Sequence, residues 1–247
     1  MEQDLVICRT LVAIFREQRL ATRFAFRGGT ALYKLHLPGS RYSEDIDLVQ
    51  TVAELIGPSI SALRGALDGW LGEPRRSVSE GRVTLVYRFR SEDEPSIPLR
   101  LKVEINTREH ASLYGVEARH FEVQSPWFTG ATDVPTYPLD ELMGTKLRAL
   151  YQRKKGRDLS DLWEALRSGK VDEGRVVRAF EWYMTAEGRG VSRAEMEENL
   201  SLKARDDRFL NDIVPLLAPM VIWEPKAAME MVMNRLVPLL AGAPWNR

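Results

Sequence analysis

The chain of 247 residues is 44% hydrophobic and 28% charged, which is ordinary for a globular protein with a substantial core. The chain has 35 basic residues (Lys and Arg) and 35 acidic residues (Asp and Glu), so it has no net charge that would attract polyanions. Any polyanion site is therefore expected to be a local patch. The single cysteine, Cys8, excludes an internal disulfide and a cysteine-based zinc site, so a bound metal is expected to be a hard cation held by carboxylates. The acidic N-terminus and the lack of a long apolar run predict a cytoplasmic protein that does not enter a membrane.

Apolar periodicity predicts a mixture of helices and strands in the first half of the chain. Helices are predicted over residues 5–20 and 52–71, and another follows the Gly28-Gly29-Thr30 turn and runs through Leu35. Strands are predicted over residues 24–26, 46–49, 83–89 and 99–106, the last two from alternation of apolar and polar side chains. Residues 91–98, rich in charge and proline, predict a turn between those two strands.

Strand patterns end near residue 138, and the remainder predicts successive helices. The helix breaks are predicted at Gly156, Gly169, Gly188, Gly190 and Pro225. We therefore expect an α+β fold, with an α/β domain over residues 1–135 and a helical domain over residues 136–247.

Asp45 and Asp47 are the first candidates for a functional site. Residues two apart on a strand share one face, so the two carboxylates project side by side while Ile46 and Leu48 point into a core. Adjacent carboxylates repel unless a cation lies between them, and Mg²⁺ binds one or two carboxylates together with substrate phosphates. The alternative is a solvated turn at a strand end, which is the commoner explanation of an isolated Asp-x-Asp.

Two further patterns favour the metal site. Gly28, Gly29 and Thr30 lie between a strand and a helix, where backbone amides can converge on phosphate and Thr30 can cap the helix. An ordinary tight turn explains these residues equally well. Glu104 lies on the polar face of the strand over residues 99–106, and it becomes a third carboxylate if that strand lies beside the aspartates. The alternative is an edge strand with a solvated polar face.

Lys146 falls near the centre of the apolar stripe of a helix predicted over residues 139–151. A buried ammonium needs a partner, which a bound triphosphate would supply; the alternative is a packed stem with the ammonium in water. In the next helix, Asp158 lies closer to the buried arc than Asp161 does. We therefore predict that Asp158 pairs with Lys146 or Arg157 and that Asp161 lies on the exposed side.

A basic cluster joins these two helices and is the best candidate in the sequence for an RNA-backbone or triphosphate patch. A solvated, charged turn is the alternative. The cluster consists of Arg148, Arg153, Lys154, Lys155 and Arg157.

Four segments together resemble one known family. Residues 27–36 (RGGTALYKLH) and 41–48 (RYSEDIDL) are similar to the first motif of the AbiEii/AbiGii nucleotidyltransferases, toxins of type IV toxin–antitoxin systems that include the MenT group. Residues 102–105 (KVEI) resemble the second motif, and residues 146–163 (KLRALYQRKKGRDLSDLW) resemble the later lysine and Arg-Asp motifs. Thr30 stands where the wider superfamily usually has serine, which preserves a hydroxyl.

The resemblance implies a polymerase-β-like nucleotidyltransferase domain followed by a helical domain. It also implies transfer of a nucleotide from an NTP to the 3′ end of tRNA with Mg²⁺, or Mn²⁺ in its place, which blocks aminoacylation and growth. A winged-helix-type antitoxin is the partner that the family leads us to expect.

The resemblance also implies roles for individual residues. Asp45, Asp47 and Glu104 would hold the metal, with Glu104 as a ligand or as the base for the attacking hydroxyl. The helical domain would contribute Lys146 and Asp158 to the cleft. The expected nucleotide contacts are Gly28, Gly29, Thr30, Ser43, Lys146, Arg157 and Asp161, with either Asp158 or Asp161 as the functional acid.

The residues themselves leave two other functions open. One is the same transfer onto a small-molecule or protein hydroxyl, against which the basic cluster is a modest argument. The other is a non-catalytic nucleotide-binding module, against which the complete set of carboxylates argues.

Overall fold

The computed structural model describes residues 2–39, 41–92 and 94–246. The chain forms two compact units, one of Met1–His36 with Tyr42–Tyr137 and the other of Leu37–Arg41 with Pro138–Arg247. Every strand of the described residues lies in the first unit, and the second unit is built from helices. The predicted mixture of helices and strands is confirmed, and the short segment Leu37–Arg41 groups with the helical unit.

A single sheet organises the first unit. Its strands are β1 Phe24–Arg27, β2 Asp45–Gln50, β3 Arg75–Ser79, β4 Arg82–Arg90, β5 Pro98–Asn106, β6 Glu117–Gln124 and β7 Thr129–Thr136. In the described chain they follow the order β3-β4-β5-β2-β1-β7-β6. The pairs β2–β5 and β1–β7 are parallel, and the other neighbours are antiparallel. The strand that carries Glu104 is therefore internal, and the edge-strand alternative is wrong.

Helices cover one face of this sheet. They are α1 Glu2–Arg16, α2 Gln18–Ala21, α3 Gly28–Ala31 and α4 Gly57–Leu71, with a π-helical turn over Leu32–His36 after α3. Alternate residues of β4 and β5 are buried with the apolar sides of α1 and α4, as strand periodicity requires. Polar side chains occupy the opposite face of β2 and β5, and the candidate site lies on that face.

Some predicted elements needed correction. The helix predicted over residues 52–71 begins only at Gly57, because Pro58 suits the first turn of a helix and its missing N–H needs no partner there. The helix predicted over residues 5–20 is divided into α1 and α2. Strands β3, β6 and β7 had no usable signal: β3 is exposed throughout, and β7 contains Gly130 and Pro135. Strand pairing, not local propensity, forms them.

The helical unit contains α5 Leu139–Gln152, α6 Gly156–Ser168, α7 Glu173–Ala186, α8 Arg193–Lys203, α9 Asp207–Asn211 and α10 Pro225–Arg235. The predicted breaks lie between these helices or at their first residue. Gly144 lets α5 and α7 approach closely, since a Cβ there would lie 2.5 Å from the Cβ of Ala179. None of the helices in the described ranges is long and apolar enough to cross a membrane.

Candidate active site

The three predicted carboxylates lie on two neighbouring strands of the first unit. β2 and β5 run parallel, and their register places Asp47 beside Glu104 and Asp45 beside Lys102. Ile46 and Leu48 are buried on the other side of the sheet. The prediction that all three carboxylates share one face is therefore confirmed, because neighbours in register point to the same side of a sheet.

Two cations neutralise Glu104. The ammonium of Lys102 lies 2.7 Å from one Glu104 oxygen and 4.0 Å from Asp45 Oδ2, and an Arg82 guanidinium nitrogen lies 3.4 Å from the other Glu104 oxygen. Lys102 lies on the same face as Glu104 because it is two residues before it on β5. A cation is favourable at this position, because the neighbouring carboxylates repel one another.

The donor set of this face fits Mg²⁺, since carboxylate oxygens are hard ligands. Across residues 2–39, 41–92 and 94–246, no three His, Cys, Asp or Glu side chains stand together as a ready-made metal site. A pair of carboxylates is sufficient for Mg²⁺, because this ion commonly takes one or two carboxylates and completes its shell with water and substrate phosphates. Asp45 and Asp47 supply such a pair.

The glycine-rich turn lies against Asp47. Gly28 has a φ of +82°, and a Cβ on this residue would lie 2.1 Å from Asp47 Oδ2. Only glycine fits here, both because of the left-handed backbone and because of the close approach of the carboxylate. The turn is therefore built against Asp47 and is not an interchangeable tight turn.

Thr30 has a different role from the predicted helix cap. The N-cap of α3 is Arg27, and Thr30 lies inside the helix, almost fully buried. Its hydroxyl lies 2.6 Å from the Ser43 hydroxyl and donates to the backbone carbonyl of Asp45. Thr30 thus ties the glycine-rich turn to the segment that leads into β2, and Gly29 beside it is also buried. This hydroxyl holds the backbone at Asp45 in place and is committed to protein partners.

The helical unit contains a second group of predicted residues. Lys146 is 7% exposed, and its ammonium lies 2.7 Å from Asp161 Oδ2 and 3.5 Å from Asp158 Oδ1. Both aspartates are fully buried. The predicted pairing of Lys146 with Asp158 is confirmed, and the alternative with the ammonium in water is wrong.

The prediction that Asp161 lies on the exposed side of its helix is wrong. Arg41 binds this carboxylate with two nitrogens, at 2.8 Å and 3.0 Å, and is itself 8% exposed. Burial by itself raises the pKa of Asp161, but the charges of Lys146 and Arg41 outweigh burial and hold the pKa well below its usual range. Arg41 was missed as a site residue because its partner lies 120 positions away.

Most of the basic cluster is paired with acids elsewhere in the helical unit. Arg153 binds Asp158 at 2.7 Å and 2.9 Å. The other pairs are Arg148–Glu187, Lys154–Asp206 and Lys155–Asp212. Arg157 is half-buried and makes no ion pair with the described residues, so the predicted Asp158–Arg157 pair does not form. The cluster therefore carries less uncompensated charge than its sequence indicates.

Lys203 is a buried ionisable group that sequence reasoning missed. It is 3% exposed, and its ammonium donates to the backbone carbonyls of Tyr151, at 2.9 Å, and Leu150 at the end of α5. Burial lowers the pKa of Lys203 to about 8, against the opposing attraction of Asp158. A lysine at the C-terminal end of a helix satisfies carbonyls that have no partner within the helix.

Comparisons with known proteins give a matching family model and several similar solved structures. A family model described as "Nucleotidyl transferase AbiEii toxin, Type IV TA system" matches residues 9–231. The chain is similar to MenT4, a nucleotidyltransferase toxin from Mycobacterium tuberculosis H37Rv, with 23% identity and a TM-score of 0.71 over 96% of this chain and 82% of that one. It is also similar to a structure from H. pylori described as a nucleotidyltransferase, with 18% identity and a TM-score of 0.56 over 98% of this chain and 100% of that one. A search of curated proteins gives no match. The two structures show that the chain has a nucleotidyltransferase fold.

Proposed function

The chain belongs to the AbiEii family of nucleotidyl transferase toxins of type IV toxin–antitoxin systems, and on this premise we propose that it transfers a nucleoside monophosphate from an NTP to the 3′-hydroxyl of tRNA. The observation that carries the proposal is the set of Asp45, Asp47 and Glu104 on one face of two parallel strands. Addition to the 3′ end blocks aminoacylation, and growth stops as a consequence.

The reaction is an in-line displacement at the α-phosphorus. The 3′-oxygen forms a bond to that phosphorus, the bond to the β-phosphate bridging oxygen breaks, and pyrophosphate leaves. A divalent ion, Mg²⁺ or Mn²⁺, neutralises charge on the phosphates when bound. Asp45 and Asp47 would hold it. Glu104 would either accept the proton of the attacking hydroxyl or complete the ligand set, and in the second case the proton would pass to solvent.

The remaining residues bind and orient the triphosphate. Gly28 and Gly29 bring backbone amides close to it, since Gly28 has no side chain to fill the space beside Asp47. Ser43 contributes a hydroxyl that Thr30 holds in place. These residues act by positioning, which in phosphoryl-type transfers supplies much of the rate together with electrostatic stabilisation.

Lys146 neutralises the charge of the departing pyrophosphate in this proposal, and Arg157 supports it. Asp161 is the functional acid beside Lys146, because it makes the shorter contact, 2.7 Å against 3.5 Å for Asp158. Together with Arg41, Asp161 fixes the direction of the ammonium. The protein acts in the cytoplasm and is countered there by a winged-helix-type antitoxin.

The proposal is tested by incubating the protein with total tRNA, Mg²⁺ and each α-³²P-labelled NTP in turn. We expect label on the tRNA 3′ terminus with at least one NTP, and loss of labelling by a factor of about 100 or more in D45N or D47N. D133N is the matched control, since Asp133 is an exposed carboxylate of the same unit, on β7.

Unlabelled tRNA with all four NTPs at saturating enzyme would contradict tRNA as the acceptor. Label on a small molecule or a protein in a total extract would then identify the other acceptor class. NTP binding without any turnover, unchanged in D47N, would indicate a non-catalytic module.

A further inference from the structure

We propose that four exposed arginines on the open face of β3, β4 and β5 bind the phosphodiester backbone of the acceptor RNA. The residues are Arg75, Arg88, Arg90 and Arg100, which we call the arginine strip. This inference rests on the proposed function, since it assigns a path to the acceptor of that reaction.

The strand register places all four residues on one face. In β4, Val83, Leu85 and Tyr87 are buried, so Arg88 and Arg90 point to the opposite side. Arg88 pairs across the strands with Arg100 of β5. Arg75 of β3 pairs with Val86, which shares the face of Arg88 because it lies two residues before it.

The strip places like charges side by side. Arg88 and Arg100 lie directly opposite each other in an antiparallel pair, an arrangement that lowers stability. Both are exposed, and the described residues place no carboxylate in an ion pair with any of the four arginines. The Arg90 guanidinium donates to Ser96, a neutral partner that leaves its charge intact. This concentration of positive charge does not stabilise the fold, but it would stabilise a bound polyanion.

The strip continues directly from the candidate catalytic carboxylates. Lys102 pairs with Val86 on one side and with Asp45 on the other, so the row of Arg75, Val86, Lys102 and Asp45 crosses four strands of the sheet. Arg88 and Arg100 form the next row of the same face, about 7 Å further along the strands. A polynucleotide with its 3′ end at the carboxylates can therefore extend over the strip.

The chemistry of the face fits a nucleic-acid backbone. Arginine binds phosphate through two parallel hydrogen bonds, and backbone contacts of this kind position a strand without reading its sequence. The other residues of β3, β4 and β5 on this face are Ser, Thr, Val, Lys, Glu, Asn, Pro and Arg82, with no aromatic side chain for stacking on bases. We therefore expect binding that depends strongly on salt and weakly on sequence.

The test compares R88Q/R100Q with R19Q/R76Q by fluorescence anisotropy of labelled total tRNA over a range of salt concentrations. Arg19 and Arg76 are exposed arginines of the same unit, and Arg76 points to the other face because it pairs with Leu85. We expect R88Q/R100Q to bind tRNA about tenfold or more weakly at 0.1 M salt, with a log–log salt slope shallower by about 1.5. The control and the Mg²⁺-dependent binding of each NTP should match the wild type.

The unfolding midpoint separates this effect from misfolding, because removing the like-charge pair should leave the midpoint of R88Q/R100Q equal to or above that of the wild type. Equal tRNA affinity and salt slope in the two double variants would overturn the proposal. So would a wild-type protein that does not bind tRNA, or one that binds polyglutamate through the same arginines instead. Strip-dependent tRNA binding without label transfer would leave the surface standing and refute the proposed function alone.

Discussion

Replacing Asp161 with asparagine removes the charge that two buried cations share. The side chains of Lys146 and Arg41 are 9% and 3% exposed, and Asp161 is fully buried between them. Removing one partner of a buried ion pair costs about 3–5 kcal/mol, because the remaining charge stays away from water. D161N preserves the volume, but its amide presents N–H groups to at least one cation. We expect a loss of about 3–5 kcal/mol, a large part of the stability of a typical domain.

The assay is urea unfolding at pH 7 followed by tryptophan fluorescence, to which Trp163 and Trp223 of the same unit contribute. The matched control is E198Q, which removes an exposed carboxylate from α8 and should change the free energy of unfolding by less than about 0.5 kcal/mol. Adding K146M to D161N removes one uncompensated cation and should restore part of the loss. The double-mutant cycle then gives the coupling energy.

The same contact predicts a pH dependence. The pKa of Asp161 is lower in the folded state than in the unfolded chain, where it is about 3.9. Its contribution is therefore fully present above about pH 4 and is lost as the pH falls toward the folded pKa. The difference in stability between wild type and D161N should shrink below pH 4. A loss under about 1 kcal/mol at pH 7, or a difference that stays constant down to pH 2, would refute the reasoning.

Four further substitutions test other contacts. G28A should lower kcat/KM for nucleotide transfer by about 100-fold, measured by label incorporation, because its Cβ displaces the Asp47 carboxylate. G144A should lower stability by about 1–3 kcal/mol through overpacking against α7, whereas G65A, whose Cβ meets no atom within 4 Å, should raise it by about 0.5–1 kcal/mol; thermal unfolding measures both. The pKa of Lys203 is about 8 in the folded protein against an ordinary value of 10.5, so the unfolded chain binds more protons between these values. Stability of the wild type relative to K203M should therefore rise between about pH 8 and 10.5, by up to roughly 3 kcal/mol in urea unfolding.

The helical network has a consequence for how Lys146 can act. Lys146 contacts Asp161 at 2.7 Å and Asp158 at 3.5 Å, while Arg41 binds Asp161 and Arg153 binds Asp158. These buried contacts hold the ammonium in a fixed position. Under the proposed function, a cation that is already positioned needs no reorganisation when negative charge develops on the leaving group.

The sequence by itself determined the features that depend on short-range periodicity. The two-residue period of a strand was enough to place Asp45 and Asp47 on one face with Ile46 and Leu48 in the core, and to place Glu104 opposite Val103 and Ile105. The helical period was enough to place Lys146 within a buried stripe. Composition favoured oxygen ligands over cysteine for any metal that the chain binds. The family was also identified from local motifs, and the family model confirms it.

Only the tertiary structure decided which of these faces meet. β2 lies beside β5 although their paired residues are more than fifty positions apart, and this pairing makes Glu104 a neighbour of Asp47. Arg41 binds Asp161 although the two residues are 120 positions apart. Asp161, which the pattern of its helix predicts to be exposed, is therefore buried in an ion pair. Most of the basic cluster is paired with acids from other parts of the helical unit, while Arg88 and Arg100 lie together without an ion-pair partner in the described chain. Charge balance and burial depend on which residues are neighbours in the folded structure. A local pattern along the chain does not show which residues from distant parts of the sequence become those neighbours.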